Sequence, residues 1–185
     1  MAGLFEGMSV LITGAAGGFG SAASRRYARE GARLVLSDYS EERLEAIAED
    51  IRKEYGSDVA TLAGDIADED LSAGLVALTV ERFGRLDIAI NNAGIAQEAF
   101  ERLPKTASDE ARRIFDVDLL GMFFALKYQL PAMEKQYRET QTGGAIVNVA
   151  SVAGVTGASG LAVYAAAKHG VVGLTRSVAQ EYARL

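Results

Sequence analysis

Short apolar runs alternate along the chain with longer stretches in which apolar residues recur every three or four positions. The runs MSVLIT (8–13), RLVLSD (33–38), DVATLAGD (58–65), LDIAINNAG (86–94) and GAIVNVAS (144–151) are apolar with little alternation. That pattern predicts strands covered on both faces. The stretches between them predict helices. Ser40 stands as an N-cap, with Glu41 and Glu42 suiting the first turn. Leu44, Ile47, Ile51 and Tyr55 follow at helical spacing, and Gly56 ends the run. A second helix carries Leu71, Leu75 and Leu78 and stops at Gly84. A third covers roughly 107–135, where Pro131 is expected to kink or close it. The last runs from about 160 to the C-terminus.

Strand and helix alternate five times, which predicts an α/β, doubly wound (Rossmann) parallel sheet with helices on both faces. Residues 1–185 read as a single domain, without repeat, low-complexity tract or linker. Ligands of such a domain sit at the carboxyl ends of the strands.

Composition narrows the chemistry. Half the residues are hydrophobic (49%) and 24% charged, as in a folded soluble domain. With no cysteine, disulfides, zinc–thiolate sites and thiol catalysis are excluded. The one histidine, His169, gives no basis for a metal cluster or a Ser-His-Asp triad. It follows Lys168, and neighbours on a helix point ~100° apart, so it is expected to face away from any site built on that lysine. A net charge of −6 argues against nucleic acid as a partner. The N-terminus lacks a basic leader, and no apolar run approaches the roughly 20 residues of a membrane span. A cytoplasmic location is expected.

The first predicted strand runs into TGAAGGFG (13–20), where Gly14, Gly18 and Gly20 precede a helix. Glycines there let the backbone approach a pyrophosphate, whose charge meets a helix N-terminus. Asp38 ends the second strand, 18 residues past Gly20, close to the spacing at which an acid binds the ribose hydroxyls of NAD. A carboxylate there repels a 2′-phosphate, so NAD is expected over NADP. Arg25, Arg26, Arg33 and Arg43 are the cations that would rescue NADP by folding inward.

Tyr164 and Lys168, in YAAAK, are four residues apart and share a helix face. Ser151 ends the fifth strand, so a hydroxyl, a phenol and an ammonium converge at one end of the sheet. A free phenol gives up its proton near pH ~10. A cation at ~4 Å supplies on the order of 4 kcal/mol at an effective dielectric of ~20. One ammonium is therefore sufficient in scale to make a phenol work near neutrality.

Together TGAAGGFG, NNAG (91–94), Ser151 and YAAAK, in order along the whole chain, resemble the short-chain dehydrogenase/reductase family, standard subgroup. The resemblance implies an oxidoreductase that moves a hydride between nicotinamide and a secondary alcohol or ketone. It implies Tyr164 as general acid/base, Ser151 as hydrogen-bond donor to the substrate oxygen, and Lys168 as ribose ligand that eases loss of the phenolic proton. Cofactor contacts are implied at Gly14, Gly18, Phe19, Gly20 and Asp38, and again at Asp65, Ile66, Asn91, Ala93 and Gly94. A substrate pocket is expected from Ile95–Gln97 and Val152–Val155. Homo-oligomers, dimeric or tetrameric, are implied through the helices at 107–135 and 160–183. Asn91 and Asn92 also have a plainer reading, as residues that fix backbone at a strand end.

Two departures stand out. The family's asparagine in the long helix is replaced by Asp118, in VDLLG. It is the fourth candidate catalytic residue, holding the water that links the lysine to solvent, but its charge sits near Lys168. The chain also stops in or just after the last helix, so the family's C-terminal strands are expected to be missing and strand five to carry an open edge. Alternative readings are an NAD-binding regulatory or assembly protein without turnover, and a purely structural domain.

Overall fold

The computed structural model describes residues 3–183. Five parallel strands form one sheet: β1 (Ser9–Thr13), β2 (Arg33–Ser37), β3 (Val59–Thr61), β4 (Ile88–Asn91) and β5 (Ala145–Asn148), in spatial order β3-β2-β1-β4-β5. The chain winds outward from β1 to β3, then returns to lay β4 against the other side of β1. The reversal leaves a crevice above the carboxyl ends of the central strands.

Strand alternation sorts the helices. Val10, Ile12, Leu34 and Leu36 pack against α1 (Gly18–Arg29) and α2 (Glu41–Tyr55) on one face. Leu11, Val35 and Ala89 point the other way, toward α3 (Glu69–Phe83) and α5 (Gly121–Thr140). On that second face α5 also packs on α6 (Ala162–Tyr182) through Met122, Leu126 and Val171. The short α4 (Ser108–Phe115) meets α6 through Ile114, Val163 and Ala167. The doubly wound fold is thus as expected. Among the described residues β5 lies at the edge of the sheet, and Val147 on its α1–α2 side is 47% exposed because no described helix covers it.

Local signals account for the helix ends. The Ser40 hydroxyl accepts from the Arg43 amide at 3.4 Å, and Gly56 and Gly84 take left-handed conformations that close α2 and α3. The expected 107–135 helix divides: α4, a π-helical turn at Asp116–Leu120, then α5. Pro131 does not close α5, which runs on to Thr140. Pro131 and Lys127, whose carbonyl loses its partner, both lie on the exposed face, where solvent takes the free carbonyl. Among the described residues no helix is long and apolar enough to cross a membrane.

Candidate active site

The glycine turn is built so that no side chain fills it. Gly14 has φ +65°, and a Cβ there would come within 2.7 Å of the Asn92 amide nitrogen and 3.0 Å of the Ala93 Cα. At Gly20 a Cβ would overlap the Gly14 carbonyl, so α1 packs directly on the turn. The first turn of α1 carries no acidic residue and no side-chain cap, so its N–H groups stay free for an anion. At Gly18 no atom of the chain stands in the way of a Cβ, and Phe19 is exposed.

Asp38 braces this turn. One carboxylate oxygen accepts from the Ala16 amide (2.9 Å), the other from the Ser40 amide (3.2 Å). Of the four arginines named as able to rescue NADP, only Arg43 reaches the turn, donating to the Ala16 carbonyl at 2.8 Å. Arg25 is paired with Asp50 and Glu54, and Arg26 with Glu30. Arg33 donates to the Gly7 carbonyl and lies over the Phe83 ring.

Between the glycine turn and the end of β4 lies a cavity of about 490 Å³. Gly14, Asp38, Asp65, Ile66, Ala93 and Gly94 all line it. Arg113 lines it too and pairs with Asp65 at 2.7 Å. Burial pushes the Asp65 carboxyl up, but the Arg113 guanidinium and the Ala67 N–H outweigh it and hold the group below its ordinary range. Arg113 gave no signal in the sequence, being brought here only by the packing of α4. Thr13, at the end of β1, accepts from the amides of Asn92 and Ala93, tying β1 to the turn after β4. Asn92 donates to the carbonyls of Thr13 and Gly14, which matches the strand-end reading.

Asn91 differs from expectation. Its side chain lies under the sheet, bonded to Gln129 of α5 in both directions (2.9 and 2.8 Å) and to Asn148 of β5 (2.9 Å). Its carbonyl accepts from Val149. Residues alternate across a strand, so Asn91 shares the face of Ala89 and meets α5. Its polar groups are engaged away from the cavity.

The second half of the site stands on α6. Lys168 is 4% exposed, and its ammonium lies 5.6 Å from the centre of the Tyr164 ring. Asp118, 1% exposed, places a carboxylate oxygen 3.2 Å from that ammonium. The approach is too poorly aligned for a hydrogen bond, so the pair is held by charge. The second oxygen of Asp118 accepts from the Ile95 N–H at 2.7 Å. Burial pushes the Asp118 carboxyl above its ordinary range, against the pull of Lys168 and the Ile95 amide. Gly94 lies directly over the pair, since a Cβ there would sit 3.0 Å from the ammonium. Lys168 also donates to the Val149 carbonyl at 3.4 Å. An ammonium has three donors, so two are left over.

Ser151 caps the short 3₁₀ turn Val152–Gly154 by accepting from the Ala153 amide (3.1 Å). Gly154 seats that turn on α6, where a Cβ would come within 2.7 Å of the Lys168 carbonyl. Ser151, Tyr164, Lys168 and Asp118 are therefore brought to one end of the sheet, beside the cavity. His169 is exposed and turned back on the Ala165 carbonyl at 2.9 Å, away from this cluster. In the expected substrate wall, Ile95, Val152 and Val155 present exposed apolar surface. Gln97 does not: it is 6% exposed and bonded to α6.

The family model described as short chain dehydrogenase matches residues 8–185. Levodione reductase of Leifsonia aquatica is 42% identical over 181 residues, covering 97% of this chain and 66% of the relative. Cyclohexanol dehydrogenase of Acinetobacter sp. (strain SE19) is 37% identical over 183 residues, 99% of this chain and 70% of the relative. Among solved structures, carveol dehydrogenase from Mycobacterium avium in complex with NAD superposes with a TM-score of 0.88 at 31% identity, over 97% of this chain and 67% of that one. The chain thus spans about two thirds of the length of the relatives it matches.

Proposed function

The chain belongs to the short chain dehydrogenase family, and from that premise we propose that it transfers a hydride between NAD(H) and a secondary alcohol or its ketone, with Tyr164 as acid and base. The observation that carries the reading is the buried Lys168 beside the Tyr164 ring, at the edge of a cavity whose glycine turn leaves room for a dinucleotide. The residues present fit that cofactor. The free N–H groups of α1 suit a pyrophosphate, Gly14 packs the turn against the end of β4, Gly18 leaves the approach open, and Asp38 stands where ribose hydroxyls need an acceptor.

When bound, the nicotinamide supplies the hydride acceptor or donor. The chain supplies the proton. In alcohol oxidation Tyr164 takes the hydroxyl proton while Ser151 donates a hydrogen bond to the same oxygen, and in reduction the proton returns. Lys168 favours the phenolate by its charge and keeps a donor for the cofactor ribose. Asp118 fixes the lysine and adds a charge that an asparagine lacks. Gly18, Phe19 and Gly20 line the approach to the pyrophosphate, with Asp65, Ile66, Ala93 and Gly94 along the cavity wall.

NAD is favoured over NADP by the Asp38 carboxylate, which lines the cavity and whose charge repels a 2′-phosphate. The substrate is a small uncharged molecule, consistent with the apolar surface of Ile95, Val152 and Val155 and with relatives named for cyclohexanol and carveol. Oligomerisation through the helices at 107–135 and 160–183 is favoured, on the first of them, by the exposed Phe115, Leu120 and Phe123. Leu126 and Val171 are core residues instead. The test is a panel of secondary alcohols with NAD, read at NADH absorbance, alongside a titration of NAD by protein fluorescence. Binding without turnover leaves a regulatory protein, and neither overturns the reading.

A further inference from the structure

We infer that Gln97 is a positioning residue for Tyr164, capping the helix that carries it from a distant part of the chain. The N-terminus of α6 has a problem of its own. Leu161, at the N-cap, has no side-chain acceptor, and the first amides of any helix have no partner within it. The Ala165 amide reaches the Leu161 carbonyl, which leaves the amides before it to be satisfied from elsewhere.

Gln97 satisfies two of them. Its side-chain oxygen accepts from the Val163 amide at 3.1 Å and from the Tyr164 amide at 3.3 Å. Two N–H donors require an oxygen, so the orientation of the side chain is dictated. The other end donates to the Thr106 hydroxyl at 3.4 Å, and Thr106 closes the 3₁₀ turn Leu103–Lys105. Nearby, the Glu101 amide bonds the Gly160 carbonyl (3.2 Å), tying the same loop to the approach of α6. Gln97 is 6% exposed, so these bonds are shielded from water, and losing them leaves buried donors unpaired. One of the two residues bonded to this cap is the one proposed to move the proton. A shift of its backbone moves the phenol relative to Lys168 and Ser151.

The effect on rate rests on the function proposed above, but the capping itself does not. Two variants in the full chain, Gln97→Leu and Gln97→Glu, are read by amide hydrogen exchange at Val163 and Tyr164, by kcat and by the KM for NAD. Gln97→Leu exposes the two amides to exchange roughly tenfold faster. It lowers kcat by on the order of ten- to a hundredfold, with the KM for NAD unchanged. Gln97→Glu keeps the acceptor and restores both amide protection and most of kcat. Thr106→Val, which removes only the outer anchor, gives the same pattern more weakly and serves if the leucine variant does not fold. Unchanged exchange in Gln97→Leu overturns the cap. Faster exchange with wild-type kcat, or a glutamate variant that restores exchange but not kcat, overturns the positioning role. If the parent chain turns over no alcohol, the proposed function fails, and exchange alone still decides the cap.

Discussion

Replacing Asp118 by asparagine preserves the side chain's size and its acceptor for the Ile95 amide, and removes one negative charge from beside Lys168. The ammonium is 5.6 Å from the Tyr164 ring centre. At an effective dielectric of ~20 it favours a phenolate by about 3 kcal/mol. The carboxylate lies 3.2 Å from the ammonium, so it stands no farther than about 9 Å from that ring centre. Its opposing effect is then at least about 2 kcal/mol at the same dielectric. The pair as it stands delivers roughly 1 kcal/mol at most, and the substitution recovers the rest. The acid limb of kcat/KM for alcohol oxidation, where Tyr164 must accept a proton, moves down by about one pH unit or more. Initial rates at NADH absorbance, taken across the neutral and alkaline range, measure it. An upward movement, or a limb that stays where it was, refutes the reasoning. The same variant tests the linkage. Burial raises the Asp118 carboxyl in the folded state, so its contribution to stability is fully present below the ordinary value near ~3.9 and is lost as pH rises through the raised one. The melting temperature of the parent relative to Asp118→Asn therefore falls as pH rises from about 4 toward neutrality. A difference that grows with pH contradicts the sign.

Two further outcomes concern the cofactor. Gly14→Ala places a Cβ 2.7 Å from the Asn92 amide in a left-handed conformation, destabilising the fold by about 1–3 kcal/mol and abolishing NAD binding by fluorescence titration. Wild-type affinity in that variant would remove the glycine turn from the site. Asp38→Ala lowers the ratio of kcat/KM with NAD to that with NADP by on the order of tenfold, as expected for one lost charged hydrogen bond. Comparable turnover of NADPH by the parent chain would sink the assignment of Asp38.

Much of this architecture was legible because its signals are local. Ser40, Gly56 and Gly84 end helices through their own backbone chemistry, and the apolar runs found all five strands. The π turn was not legible, because nothing in FDVDLLG distinguishes it from a regular helix. Pro131 misled for a related reason: its cost depends on whether the freed carbonyl is buried or wet, which only packing decides. In the site, Gly14, Asp38, Tyr164 and Lys168 follow from spacing along single elements. The Asn91 side chain lies away from the cavity, and the alternation of Ile88, Ala89 and Ile90 already places it on the face opposite Ile90. Gln97 and Arg113 act on residues far away in sequence, and no periodicity carries that information.

In the proposed mechanism Tyr164 moves the proton at a site where the dinucleotide binds independently of it. Tyr164→Phe keeps the ring and removes only the hydroxyl, so the decisive measurement sets its turnover of a secondary alcohol beside its NAD titration. The expected result is a rate lower by on the order of a thousandfold with NAD affinity unchanged. Turnover at the parent rate would contradict it.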